Sequence, residues 1–314
     1  MNEWSPMTFG QTLDKIFRIV KENFWCLCVL TLLFMGPSLV LGLFLQPSYP
    51  AVDFSSVGSM EYWNGWFQDY IMESGTPTSL AAMLITLLVS YLQIAVAFVG
   101  SVLVSAAAVF LVDDIRRKRK PDVGVLVRRA FGRFWPLLGS ALLCYVVLIF
   151  AWYIACVILL SMIFVLSMAI GDLGFSLILV ILITLGAAGV LVYFLTRLAF
   201  GPAATAMAPV APGISQSWKL TRGNMWRALG VLVVSAVIVY CVTSIFEVAF
   251  FFLGILGAIL SIPFQVVATM VSSTTLAVLF FDLEARNNAG DMKAMVDHLE
   301  AEEWWEMQHH RRIS

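Results

Sequence analysis

The sequence predicts an all-α membrane protein in which six transmembrane helices form three repeats, each an interfacial amphipathic helix followed by a helical hairpin. Three observations carry this. Hydrophobic residues make up 61% of the chain and charged residues only 12%, with a mean hydropathy of +0.90, far from the balance of a soluble domain. The 19 Lys and Arg fall in four blocks, residues 15 to 21, 116 to 133, 197 to 227 and 286 to 312, with apolar stretches between them. The same junction occurs three times, as KENFW at Lys21 to Trp25, FGRFW at Phe131 to Trp135 and RGNMW at Arg222 to Trp226. Each junction follows an amphipathic run and opens a long apolar one, which reads as an internal repeat.

The placement of charge sets the orientation, because short cytoplasmic loops collect Lys and Arg and translocated loops do not. Residues 47–79 contain neither and carry Asp53, Glu61, Asp69 and Glu73. They are therefore placed outside, with both termini in the cytoplasm and the chain in the cell (cytoplasmic) membrane. Length sets the spans. Residues 134–171 are charge-free, and a single helix of that length would run about 57 Å against a hydrocarbon core of about 30 Å. The turn signal Gly171-Asp172-Leu173-Gly174 ends it. The six spans are expected at 24–46, 80–112, 137–169, 175–200, 228–254 and 262–281, the last two separated by a turn near Gly257 to Pro263. One polytopic domain then covers 1–284, with repeats at 5–112, 121–200 and 212–281. Residues 285–314 form a cytoplasmic amphipathic helix and tail. A cleavable signal peptide is the weaker reading of the N-terminus, since its polar region is too long and so is the apolar run behind it. Cys26, Cys28, Cys144, Cys156 and Cys241 all lie in predicted spans and act as small apolar residues. No disulfide, metal site or cofactor is expected.

The first amphipathic run opens at Ser5-Pro6, an N-cap and first-turn pair. Phe9, Leu13, Ile16, Phe17, Val20 and Phe24 recur at helical spacing, with Lys15, Arg18 and Lys21 off that stripe. This predicts a helix lying in the inner interface; a cytoplasmic helix packed on other loops is the plainer alternative. In the outer segment, MEYWNGWFQDYIM brings together Tyr62, Trp63, Trp66, Phe67 and Tyr70. These suit an aromatic belt, or alternatively a platform for a ligand or partner. After the second span, Arg116, Arg117, Lys118, Arg119, Lys120, Arg128, Arg129 and Arg133 fall within 18 residues. They are candidates for binding anionic inner-leaflet lipid, at about 1 kcal/mol per residue near the surface, although orientation alone accounts for them. Nucleic acid is not an expected partner, because a chain of net charge -1 offers no wider basic surface.

Asp122 is expected to cap a second amphipathic helix with Val123, Leu126, Val127, Ala130, Phe131 and Phe134 on its apolar face. The third run, Ile214, Trp218, Thr221 and Met225 flanked by Lys219 and Arg222, is weaker. Pro209 and Pro212 exclude a continuous helix from Arg197 to Trp226. Trp25, Trp135 and Trp226 are the expected interfacial anchors at a common depth, and Lys21, Arg133 and Arg227 beside them are expected to face cytoplasmic phosphates.

The closing FFDLEARNNAGDMKAMVDHLE repeats the exit from the second span: Asp282 matches Asp113, Arg286 matches Arg117 and Asp291 matches Asp122. Met292, Met295, Val296 and Leu299 then fall on Val123, Leu126, Val127 and Ala130. Together with TRLAFGPAATAMAP from Thr196 and SWKLTRGNMWRALG from Ser217, this closing stretch resembles bacterial and archaeal membrane proteins related to the membrane region of glycerophosphoryl diester phosphodiesterases. That family's closing motif is aromatic-Asp-Leu-Arg-x-Arg, a short turn, then Asp. Asp282, Leu283, Arg286 and Asp291 match it, whereas Glu284 stands where the family has a basic residue. The resemblance covers about 100 C-terminal residues and implies the membrane fold. It does not imply the soluble phosphodiesterase barrel that some members carry, for which about 30 residues beyond the last span leave no room.

An enzyme is not expected, because the only three histidines, His298, His309 and His310, sit in the tail and no metal-ligand spacing occurs elsewhere. Glu247 is the one acidic residue inside a predicted span. Intramembrane carboxylates are costly and point to a pathway or partner, the plainer reading being an interfacial Glu that reaches the headgroups. Gln93 in the second span and Arg197 at the inner end of the fourth complete the ligand or pathway candidates. The expected function is a non-enzymatic inner-membrane protein, permease-like or a transport accessory, that binds a lipid or amphiphile between its repeats. Small-residue stretches such as Gly186-Ala187-Ala188-Gly189 favour close helix contacts. The alternative is a scaffold that organises inner-leaflet lipid or a partner protein. Membrane lipid is the expected partner, with another membrane protein or transporter subunit beside it, and the oligomeric state is left open.

Overall fold

Each amphipathic run folds as a short helix and stops within three residues of a long apolar one. The computed structural model describes residues 7–45, 80–169, 173–207, 213–251, 253 and 255–313. The helices are α1 (Phe9–Glu22), α2 (Phe24–Leu45), α3 (Leu80–Arg116), α4 (Val123–Gly132), α5 (Phe134–Ala169), α6 (Leu173–Leu198), α7 (Gly201–Met207), α8 (Ile214–Thr221), α9 (Met225–Phe251) and α10 (Ile255–Ile313). Helix is the only regular structure among the described residues. Six of these helices, α2, α3, α5, α6, α9 and α10, contain a stretch long and apolar enough to cross a membrane. The aromatic run of the outer segment, Ser5-Pro6, Pro209 and Pro212 lie outside the described residues.

The first two junctions share one geometry, a single residue (Asn23, Arg133) at φ -114 and -115°, whereas the third takes three residues, with Arg222 extended and Gly223 at a φ of +87°. All three start the next helix with the same hydrogen bond. The carbonyls of Asn23, Arg133 and Asn224 accept from the N–H groups of Leu27, Leu137 and Ala228 at 3.0, 3.1 and 3.1 Å, and so start the next helix. Those three acceptors of the first helical bond lead to fully buried side chains at Leu27, Leu137 and Ala228. Trp25, Trp135 and Trp226 are each the second residue of the new helix and are 78, 78 and 84% exposed. At the other end of the short helices, Asp122 Oδ1 accepts from Gly124 N at 3.0 Å, the cap expected for α4. Helix α1 begins later than Ser5-Pro6 suggested: Thr8 N donates to Gln11 Oε1 at 2.9 Å, a capping interaction.

The apolar stripe of α1 is divided between two surroundings. Thr12, Ile16, Ile19 and Val20 are buried, packed on α10, α9 and α2. Phe9 and Phe17 remain 39 and 41% exposed, and Asp14, Arg18 and Lys21 are exposed beyond them. At about 100° per residue, the helix thus has a protein-facing arc, an uncovered apolar arc and a polar arc in succession. Lys15, expected off the stripe, is buried.

The long helices pair as hairpins α2/α3, α5/α6 and α9/α10. The second helix of each hairpin also packs on the elements that begin the next one: α3 on α4 and α5, α6 on α8 and α9, and α10 on α1 and α2. Helices α3 and α10 touch directly, and α7, buried from Gly201 to Ala206 apart from Pro202, fits against α3, α5 and α8. Close approach in the first hairpin depends on Gly100, where a Cβ would stand 2.5 Å from the Phe34 carbonyl oxygen.

Several boundaries differ from expectation. Helices α5 and α9 start at Phe134 and Met225, three residues early, because one to three residues suffice to break the chain at each junction. The turn expected near Gly257 to Pro263 lies earlier, between Phe251 and Ile255. Gly257 and Pro263 are inside α10, and a Cβ on Gly257 would collide with the Phe250 carbonyl, so this glycine permits contact instead of breaking the helix. Helix α10 then continues without a break past the last span to Ile313, where a separate helix and tail were expected.

Candidate functional site

Helices α3, α5, α6, α7 and α10 enclose a cavity of about 310 Å³ between the first two hairpins. Phe98, Ser101, Ser105 and Val109 of α3 face Ala141, Cys144, Tyr145 and Leu148 of α5, with Leu195 and Leu198 of α6, Pro202 and Ala203 of α7 and Leu276 of α10 closing it. The wall is mostly hydrocarbon, and no charged residue or histidine lines it. Ser101 Oγ donates to the Phe98 carbonyl at 2.8 Å, which ties up its proton on its own helix. Phe98 and Tyr145 stack edge to face at 5.3 Å, and Tyr145 and Leu195 are 55 and 45% exposed, so the cavity opens sideways between α3, α5 and α6. Its volume is at the low end of small-molecule sites, and its lining suits a hydrocarbon chain.

One end of the bundle gathers the charges. Asp282 is fully buried and accepts from Arg227 Nε at 3.3 Å, Arg286 Nε at 3.1 Å and Met7 N at 3.0 Å. Both guanidiniums also donate to the Met7 carbonyl, and Arg227 Nη2 reaches Thr12 Oγ1 at 3.2 Å. The segment before α1 is thereby tied to α9 and α10. On α3, Asp113 pairs with Arg117 at 3.0 Å and Asp114 with Arg129 of α4 at 3.0 Å. Arg116 bridges to Glu284 at 3.0 Å and stands 5.4 Å over the Phe281 ring. Glu284, the residue that departs from the phosphodiesterase-related motif, thus joins α10 to α3.

These contacts divide the eight basic candidates. Arg116, Arg117 and Arg129 pair with carboxylates, and Arg133 Nη1 donates to the Ala206 carbonyl at 2.9 Å, at the C-terminal end of α7, where a cation complements the helix dipole. Lys118, Arg119, Lys120 and Arg128 are exposed. Lys118 has a positive φ of 57°, with Arg119 N bonded to the Asp114 carbonyl and Lys118 N to that of Ile115, a Schellman ending in which glycine is the usual residue. Of the cations beside the three Trp anchors, Lys21 is exposed, Arg133 donates to the Ala206 carbonyl and Arg227 pairs with Asp282, so the latter two engage protein groups where cytoplasmic phosphates were expected.

The pathway candidates are not brought together. Glu247 is exposed on α9 and does not line the cavity. Gln93 lies over Gly42 of α2, its Nε2 2.9 Å from where a Cβ would be. Arg197 stacks on Trp218 at 4.4 Å and Tyr193 at 4.9 Å, and its buried Nε has no hydrogen-bond partner among the described residues. The residues Asp282 to Asp291, expected to form a loop, lie within α10, where Asp282 and Arg286 form an i,i+4 pair equivalent to that of Asp113 in α3 with Arg117 just past its end; the side chain of Asp291 is outside the described ones.

Two groups of site residues were not anticipated. The cavity wall combines residues that are ordinary apolar span positions in sequence, so no local signal marks it. A polar line along α10, Ser261, Gln265, Thr269 and Ser273, was legible as an i,i+4 series. Within it Gln265 Nε2 donates to Ser261 Oγ at 3.3 Å, and Thr269 Oγ1 to the Gln265 carbonyl at 2.8 Å. No protein-family model, curated protein or solved structure matches the chain.

Proposed function

We propose that this is a non-enzymatic membrane protein, permease-like or accessory to transport, which binds the hydrocarbon chain of a lipid or amphiphile between its first two hairpins. The cavity carries the reading. Counting along the helices from the charged end, Val109 and Ala141 lie about 10 Å in and Phe98 and Leu148 about 20–27 Å in, so the cavity runs from acyl-chain depth in the leaflet at that end past the bilayer midplane. The sideways opening at Tyr145 and Leu195 admits a chain directly from that leaflet. With the charged end placed in the cytoplasm of the cell membrane, the leaflet is the inner one, and Lys118, Arg119, Lys120 and Arg128 stand at headgroup level.

The helix-starting hydrogen bond common to the three junctions and the regular contacts between successive hairpins support reading the chain as three repeats, as in transporters built from repeated units. The likeness of the closing motif to the phosphodiesterase-related membrane family agrees with a membrane role and assigns no chemistry. A scaffold role is favoured by the exposed basic group alone, and the two readings part in one measurement.

Native mass spectrometry of the detergent-purified protein should show one retained lipid or amphiphile. Ser101→Trp, which fills the cavity, should remove it, while Glu247→Gln should leave it in place. Retention by Ser101→Trp together with loss on neutralising Lys118, Arg119, Lys120 and Arg128 would favour the scaffold. For orientation, cysteines introduced at Ser56 and Ser79 in a variant without the five native cysteines should label from outside intact cells, and one at Lys118 should not.

A further inference from the structure

Two hydroxyls in the buried part of the bundle are unsatisfied. Thr31 of α2 and Thr274 of α10 are both fully buried, and neither Oγ1 has a hydrogen-bond partner among the described residues. Their neighbours behave differently: Ser38 bonds the Met35 carbonyl at 2.8 Å, Ser273 that of Met270 at 3.1 Å and Thr275 that of Val271 at 2.8 Å. A helical Thr can bond back to its own helix in this way. That these two do not, in a medium where an unpaired hydroxyl is costly, calls for a ligand atom.

The two residues also correspond in position. Helices α2 and α10 pack together. Thr31 lies seven residues into α2 and Thr274 eight residues before Asp282, about 10 and 12 Å from the charged end. Matching Trp25 to Trp135 puts Thr31 on Ala141, and matching Asp282 to Asp113 puts Thr274 on Ser105. Ala141 and Ser105 both line the cavity. The α10–α2 contact is therefore the counterpart, between the last hairpin and the first, of the contact that opens as the cavity between α3 and α5.

We propose that this contact is a second, narrow site in which Thr31 and Thr274 hydrogen-bond one uncharged oxygen, that of a water molecule or of an amphiphile's hydroxyl or ester group. The correspondence rests on the repeat reading above; the unsatisfied hydroxyls do not.

Valine copies the shape of threonine without its hydroxyl, so Thr31→Val and Thr274→Val test the site by sign. With an oxygen bound, each variant lowers the thermal midpoint in detergent, and the double variant falls by little more than either single one because both lose the same bridge. Thr→Ser at either position keeps the midpoint. Radiolytic labelling of buried Met270, one turn from Thr274, then separates the sources: labelling in delipidated protein marks water, and its suppression on adding lipid marks a lipid oxygen. A raised or unchanged midpoint in the valine variants would overturn the site. Lipid retention in the Ser101 experiment reads the cavity alone, so either idea can fail without the other.

Discussion

Helices α10 and α5 invert the rule that holds in water. Of the most apolar 18-residue run in the α5 stretch Phe134–Ile158, of mean hydropathy 2.6, 11% is buried, whereas in the α10 stretch Leu256–Asn287, of mean hydropathy 1.8, the figure is 72%. By the same measure α3, at 2.5, has 56% of that run buried and α9, at the same 2.5, has 11%. Where lipid tails are as apolar as leucine, hydrophobicity does not select the inside; close packing and internal hydrogen bonds do. The buried faces of α10 and α3 accordingly carry Ser273, Thr275 and Ala277, and Ala106, Ala107 and Ala108. Helix α5 presents Leu142, Phe150, Trp152 and Tyr153 outward.

The largest expected effect tests whether the charged end holds the buried pair of helices in place. Asp282→Asn should cost about 3–5 kcal/mol, because it leaves two partly buried guanidiniums without their carboxylate. Asp113→Asn, whose partner Arg117 is 54% exposed, should cost less than about 1 kcal/mol. Equal unfolding free energies for the two variants would mean that burial does not separate these otherwise parallel i,i+4 pairs.

A smaller contrast concerns backbone approach. Gly100→Ala pushes a methyl against the Phe34 carbonyl and should destabilise by about 1–3 kcal/mol. On the exposed helix α5, a Cβ at Gly139 meets nothing within 4 Å. Gly139→Ala should therefore gain up to about 1 kcal/mol through helix propensity. Denaturant titration of both variants decides it, and a tolerated Gly100→Ala would show that α2 and α3 can part without cost.

The smallest effect is at the end of α3. Lys118→Gly should stabilise by about 1 kcal/mol by removing a side chain from a left-handed conformation, visible as a small rise in thermal midpoint. A fall would show that the Lys118 side chain makes a contact worth more than the strain.

The sequence by itself determined what the solvent and local geometry dictate. Composition and length gave six helices of membrane-crossing character, Asp122 marked the start of α4, and the recurring Trp motif marked where short helices give way to long ones. The match of Asp282 and Arg286 to Asp113 and Arg117 was legible as a repeated pattern, and the structure shows that each forms an i,i+4 ion pair. Only the tertiary structure decided which spans are inside, since in lipid that depends on neighbours and not on hydropathy. It also decided the fate of the charges: Arg227 meets Asp282 and Met7 across more than fifty and two hundred positions of chain, and Arg116 meets Glu284 across 168. The cavity likewise arises where five helices fail to fill the space between them. Volume left over by packing is a property of the assembled surfaces, and no single helix carries it in its sequence.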